Sequence, residues 1–213
     1  MAVGGGVNWQ SYEEYVPRVP GLPQDMSRVE ARKAFEHFLA SRPTRIAVLR
    51  RLLADNGIEL DTSDGGIQRL NDWFYDSVEA DPDRPGYLLP IWYSVVFDIA
   101  MFLGAAMIER HPNLRWEFFT WGKKNIAYQQ PAIMGYATED PKFHTNSNLV
   151  RGVATYGHRI VAAQGSTQTL GVVVVRGTPI DVDAIDASHR ATEVERDAFV
   201  AWMHVAARRN GQP

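Results

Sequence analysis

The chain contains no cysteine. That excludes disulfides, thiolate nucleophiles, iron–sulfur ligation and every zinc site built on a thiolate. It also lacks a dominant sign of charge: 22 Lys and Arg stand against 25 Asp and Glu, a formal net charge of −3. Wholesale attraction to nucleic acid or to an anionic lipid surface is therefore not expected. Signatures for phosphate cradles and activated nucleophiles are missing too. There is no G-x-S-x-G, no G-x-x-x-x-G-K-[ST], no G-x-G-x-x-G after a strand and no H-E-x-x-H. Six histidines (His37, His111, His144, His158, His189 and His204) are scattered, with no pair at three- or four-residue spacing. No helix then presents two imidazoles on one face. Residues 1–6 have neither a basic start nor an apolar run, so no secretory signal is read there and the default compartment is the cytoplasm. No cofactor is expected.

What is present suits a soluble α+β protein. Apolar residues make up 45% of the 213 and aromatics 11%, enough for one substantial core. At this size folding buries roughly 70% of the surface an unfolded chain exposes. Residues 1–26 read as an arm: Pro17, Pro20, Gly21 and Pro23 punctuate it, and Trp9, Tyr12 and Tyr15 offer rings to pack on the body. Residues 27–213 read as a single α+β domain. Ser27 and Glu30 form a capping box, predicting a helix to about Ala40. Pro43 suits the first turn of a second helix ending at Asn56-Gly57. A third carries Ile67, Leu70, Trp73, Phe74 and Val78 at helical spacing.

After the loop 81–86 comes the most apolar element, Ile91 to Ile108, stopped at His111-Pro112. Beyond it the period changes. Residues 115–121, 126–128 and 132–136 predict strands, with Pro131 marking an edge or bulge. Asn146-Ser147-Asn148 caps a helix through Leu149, Val153, Tyr156 and Ile160, Val172 to Val175 is a short apolar strand, and Thr192 to Glu195 is a second capping box opening a terminal helix. The expected architecture is N-terminal helices packed with a long central apolar helix against a small, mainly antiparallel sheet, closed by a C-terminal helix.

Ile91 to Ile108 reaches the length of a membrane span, but Asp98 sits near its middle. A carboxylate there costs about 2.5–3.5 kcal/mol on insertion scales, and no cluster of basic anchors flanks the run. A buried core helix is expected, with no membrane span. Asp98 must then find a partner or protonate. A structural pair with an arginine or backbone N–H groups is one reading, a general base or metal ligand is a second, and exposure on the helix's polar side near Ser94 and Met101, as part of a binding surface, is a third.

Three further groups are candidates. Asp181, Asp183 and Asp186 follow the apolar strand, and such spacing suits a hard divalent cation in hydrolysis or phosphoryl transfer. Asp98 or His189 are their possible companions, and a solvated connection is the plainer reading. Residues 115–130 mix Arg115, Lys123 and Lys124 with Trp116, Phe118, Phe119, Trp121 and Tyr128, a composition that serves a protein-binding face, single-strand nucleic-acid stacking through 115–128, or a core with lysines at its turn. Charge is also segregated. Residues 28–51 carry seven basic and two acidic side chains, whereas 59–83 carry one basic and eight acidic. An acidic face that docks a basic protein partner is one outcome of this; mutual complementation of neighbouring helices is the other.

The runs Leu49-Arg50-Arg51-Leu52-Leu53, Ile58 to Ser63 and Ile67 to Phe74, followed by Leu103-Gly104 and Pro112-Asn113-Leu114-Arg115-Trp116, resemble a family of bacterial α+β domains over about residues 45–136. Some of its members look like toxin-immunity proteins. The resemblance transfers no catalytic residue; the missing catalytic motifs and the segregated charge make a non-enzymatic interaction module, of immunity-like kind, the expected function. Ala105 and Ala106 replace the acidic residue that relatives often carry after the glycine.

Overall fold

The structure is a computed structural model that describes residues 6–19, 21, 23–84, 86–138, 140, 142, 144–165, 172–175, 178–181 and 194–211. Helix α1 runs from Arg28 to Asp55. Ser27 caps it, accepting from the Glu30 amide while the Glu30 carboxylate accepts from the Ser27 amide. The two helices expected around Pro43 are one, with the proline inside it. A mid-helix proline cannot bond the carbonyl four residues back and costs about 3 kcal/mol. Here Arg42 Nε donates to that carbonyl, Leu39 O, at 3.2 Å. Phe38 on one side of the proline and Leu49, Leu52 and Leu53 on the other are buried in the same core, which holds the two halves in line.

Helix α2 (Asp64–Ser77) is capped by Ser63, and α3 (Pro90–Arg110) starts on its proline and ends at His111. α3 is long and apolar enough to cross a membrane, and 72% of its apolar window is buried within the fold. It packs against α1 and against α4 (Leu149–Gly165). Close approach depends on missing side chains. A Cβ on Gly104 of α3 lands 2.1 Å from Trp116 Cζ2, and one on Gly157 of α4 lands 3.0 Å from Leu88 Cδ1 and 3.1 Å from Phe74 Cζ. The glycine that weakens α4 by propensity lets it seat against the core.

Helix α5 (Ala198–Arg209) packs on α2. It begins later than the second capping box suggests; Thr192 lies outside the described residues and Val194 to Asp197 are not helical. Side chains from other helices organise that approach. Glu195 O accepts from the Tyr156 hydroxyl at 2.7 Å, and Arg196 O accepts from Gln68 Nε2 at 2.7 Å and from Asn71 Nδ2. Asn71 Oδ1 accepts the Phe199 amide at 3.1 Å. A buried asparagine of α2 thus caps α5 from outside.

Strand β1 (Arg115–Phe118) pairs antiparallel with β2 (Pro131–Met134), Arg115 opposite Met134 and Phe118 opposite Pro131. Pro131 is the first residue of its strand, as proline in a sheet must be unless it is at an edge or bulge. The strand expected at 126–128 is a chain of turns. Asn125 Oδ1 accepts the Ala127 amide, Asn125 O that of Tyr128 and Ala127 O that of Gln130. Local bonds have taken the amides a ladder would need. Strands β3 (Val172–Val175) and β4 (Thr178–Asp181) pair with each other antiparallel, so the valine strand does not join 115–121.

The arm residues Trp9, Tyr12 and Tyr15 pack against the main core. Trp9 meets Trp92 edge to face at 5.2 Å. Asn8 and Asn56 exchange hydrogen bonds, tying the arm to the end of α1.

Candidate interaction surface

Asp98 lies on the inward face of α3 and has no exposed surface. Both of its oxygens are taken by one guanidinium: Arg45 Nε to Oδ1 and Arg45 Nη2 to Oδ2, each 2.7 Å. The Tyr12 hydroxyl donates to Oδ2 at 2.7 Å and lies 3.0 Å from Ser94 Oγ, which accepts the Tyr15 amide. Arg45 also donates to Glu13 O at 2.7 Å. Burial pushes the Asp98 carboxyl above its ordinary range, while the Arg45 fork and the Tyr12 hydroxyl draw it back. Burial works against the Arg45 cation, and its bonds to Asp98 outweigh that and raise it. The Tyr12 phenol is pushed up by burial first and by the Asp98 charge second. A charge held by a two-pronged partner and a third hydrogen bond from Tyr12 is a pin between α1, α3 and the arm. Asp98 is thus placed in the core, away from solvent.

Four of the eight acidic side chains of the stretch 59–83 are answered from within the chain. Asp61 pairs with Arg69 at 2.6 Å, Asp64 with Arg110 at 2.7 Å and with His204 at 3.2 Å, Asp81 with Arg84 at 2.8 Å, and Asp76 with Arg196. The bonds from Arg110 and His204 hold the Asp64 carboxyl below the usual range. These partners come from α2 (Arg69), the loop between α2 and α3 (Arg84), α3 (Arg110), the turn before α5 (Arg196) and α5 itself (His204), rather than from the basic face of α1. Of the proposed metal ligands, Asp181 ends β4 by its backbone, and Asp183, Asp186 and His189 lie outside the described residues. Among the described residues no three His, Asp or Glu side chains converge on a common point.

The aromatic and cationic segment is where residues gather at the surface. Between β1 and β2 the chain loops out over 119–130. Its base is buried: Phe119, Ala127, Ala132 and Met134 form a small separate core. Gln129, at a left-handed φ of 62°, returns its amide to Phe119 O at 2.7 Å. Its side chain donates to Pro23 O and Met26 O at 2.7 and 3.0 Å, clasping the end of the arm. Gln130 Oε1 accepts from Asn148 Nδ2 at 2.6 Å, joining the loop to the start of α4.

The tip, Trp121 to Ile126, is six consecutive exposed residues. Trp121 is 52% exposed and Ile126 59%. Lys123 and Lys124 lie between them, and neither is in an ion pair among the described residues. The Trp121 ring is stacked on His144, centroids 4.0 Å apart and planes 9° off parallel. Arg115 is exposed and paired with Glu117, and Tyr128 is half-buried at the base of the tip. Of the binding residues expected from sequence, the structure therefore puts Trp121, Lys123, Lys124 and Tyr128 on one loop. Arg115 sits at the start of the strand leading into it. Sequence reasoning missed Ile126 as an exposed apolar group, and missed His144, whose only signal is a lone imidazole in a polar loop.

Comparison with family models, with curated proteins and with solved structures finds no match to this chain.

Proposed function

We propose that this chain is a non-enzymatic protein-interaction module that docks its partner through the loop between β1 and β2. The observation that carries the reading is Trp121 and Ile126, each more than half exposed at the tip of a loop whose backbone is fixed by its own hydrogen bonds. Covering them removes apolar surface from water, roughly 1 kcal/mol for each at half exposure. A stiff loop loses little freedom on docking, so that gain is kept. Tryptophan beside cations is the composition of an interface anchor. Lys123 and Lys124 favour a partner with an acidic patch and speed encounter with it. The likeness to immunity-type domains fits a protein as that partner. The in-chain pairing of Asp61, Asp64, Asp76 and Asp81 favours this loop over the acidic stretch as the docking face.

The test is affinity capture from the native host with the wild-type chain and with Trp121→Ser/Ile126→Ser. The reading expects one stoichiometric partner, retained by the wild type and lost by the variant at unchanged helical circular dichroism. A partner held equally by both, or turnover of a substrate by the free chain, overturns it.

A further inference from the structure

A second surface lies along the seam between α4 and α5. A hollow of about 320 Å³ is lined on the α4 side by Arg151, Thr155 and Arg159 and floored by Gly152, Tyr156 and Trp202. It runs on, through Asn148, Gly152 and Trp202, into a neighbouring hollow of about 270 Å³ edged by Arg209. The floor is close-fitted: a Cβ on Gly152 meets Trp202 at 3.4 Å. Arg151 and Arg159 are exposed. Among the described residues every ion-paired arginine is another one: Arg45, Arg69, Arg84, Arg110, Arg115 and Arg196. Two guanidinium groups with no ion pair among the described residues therefore share one wall of this hollow, with a tryptophan in its floor.

We infer that this trough binds an acidic peptide segment of a partner protein, its carboxylates on Arg151 and Arg159 and an apolar side chain on the Trp202 floor. Spacing sets the pattern. Eight helical residues separate the two arginines by about 12 Å. An extended peptide advances about 3.3 Å per residue, so carboxylates at i and i+4 match that span. Both then point to the same side of the strand. Glu195 on the opposite rim repels a further carboxylate and fixes which edge of the peptide faces α4. The guanidinium fork fits a carboxylate two-pronged. Single-stranded nucleic acid is the weaker occupant: the floor offers one indole where a strand needs a platform for successive bases, and the chain carries a net charge of −3. The inference adds a second surface to the docking-loop reading and does not depend on it.

The probe is a fluorescein-labelled peptide containing Glu-Ser-Leu-Ser-Glu, titrated at low salt by fluorescence anisotropy. Saturable binding is expected, weakening with added salt. Arg151→Gln/Arg159→Gln should weaken it at least tenfold, and Thr155→Glu, which puts a carboxylate into the trough, should abolish it. Lys123→Gln/Lys124→Gln should leave it unchanged, which separates this site from the loop. No saturable binding by the wild type, equal binding by Arg151→Gln/Arg159→Gln, or tighter binding of a labelled oligothymidylate through the same arginines overturns the inference.

Discussion

Replacing Arg45 by methionine tests whether the buried charge pair is a pin of the fold. The substitution keeps an unbranched apolar stem and removes the fork, leaving Asp98 with only the Tyr12 hydroxyl in a site with no exposed surface. Removing one partner of a buried pair costs about 3–5 kcal/mol, because the remaining charge is stranded. At roughly 2–4 °C per kcal/mol for a chain of this length, the melting temperature should fall by about 6–20 °C. Arg45→Met/Asp98→Leu removes both charges and should recover most of the loss. It should not recover all of it, since Tyr12 then lacks its acceptor. Urea titration read at 222 nm and by tryptophan fluorescence measures the cycle. Trp9 lies on the arm against Trp92, so arm release should change the emission of the single variant before global unfolding. A loss under about 1 kcal/mol for Arg45→Met, or a double variant as unstable as the single one, refutes the structural role and returns Asp98 to the list of working residues.

Gly104→Ala should destabilise despite a gain in helix propensity of about 1 kcal/mol, since the added methyl falls 2.1 Å from a Trp116 ring that also packs on Phe38; a chemical melt showing increased stability would contradict the packing. Asp64, with its carboxyl held low by Arg110 and His204, contributes stability that is complete above the unfolded value near 3.9 and is lost as pH falls through its folded value. The acid limb of stability should accordingly be shallower in Asp64→Asn, measured by urea melts between about pH 2 and 6. Burial lifts the phenols of Tyr15 and Tyr156 to about 12 each, and raises those of Tyr12 and Tyr136 as well. Their neutral forms are the folded ones, so the stability they contribute is present below about pH 10 and lost as pH rises through the folded values. Ultraviolet titration should find these phenols ionising late and together with unfolding; smooth titration of all eight tyrosines near pH 10 would contradict it.

Helix positions were readable because their signals are local. The Ser27–Glu30 box, the Ser63 turn and the apolar stripe of α2 act over one turn of chain, and α1, α2 and α3 follow them. Pro43 misled because the compensation, Arg42 reaching Leu39 O and one core gripping both halves, lies in geometry that proline alone does not disclose. The start of α5 misled because its cap comes from Asn71, 128 positions earlier in the chain. The Asp98 partner left a trace that went unused: Arg45 stands in register with Phe38, Leu49 and Leu52, at steps of seven, four and three, where a charge on a buried face implies a buried counter-charge. The aromatic run 115–121 was legible as strand only to Phe118, since the side-chain bonds of Asn125, Gln129 and Gln130 that build the loop carry no periodic signal. The stacking of Trp121 on His144 joins residues 23 apart and is invisible to spacing.

Hydrogen–deuterium exchange of the chain alone and saturated with its captured partner tests the docking loop most directly. The amides of Trp121 to Ile126 should slow on complex formation while those of the exposed acidic positions Glu59 and Asp83 stay unchanged. Unaltered exchange across the loop, with protection appearing instead over residues 59–83, would contradict the account.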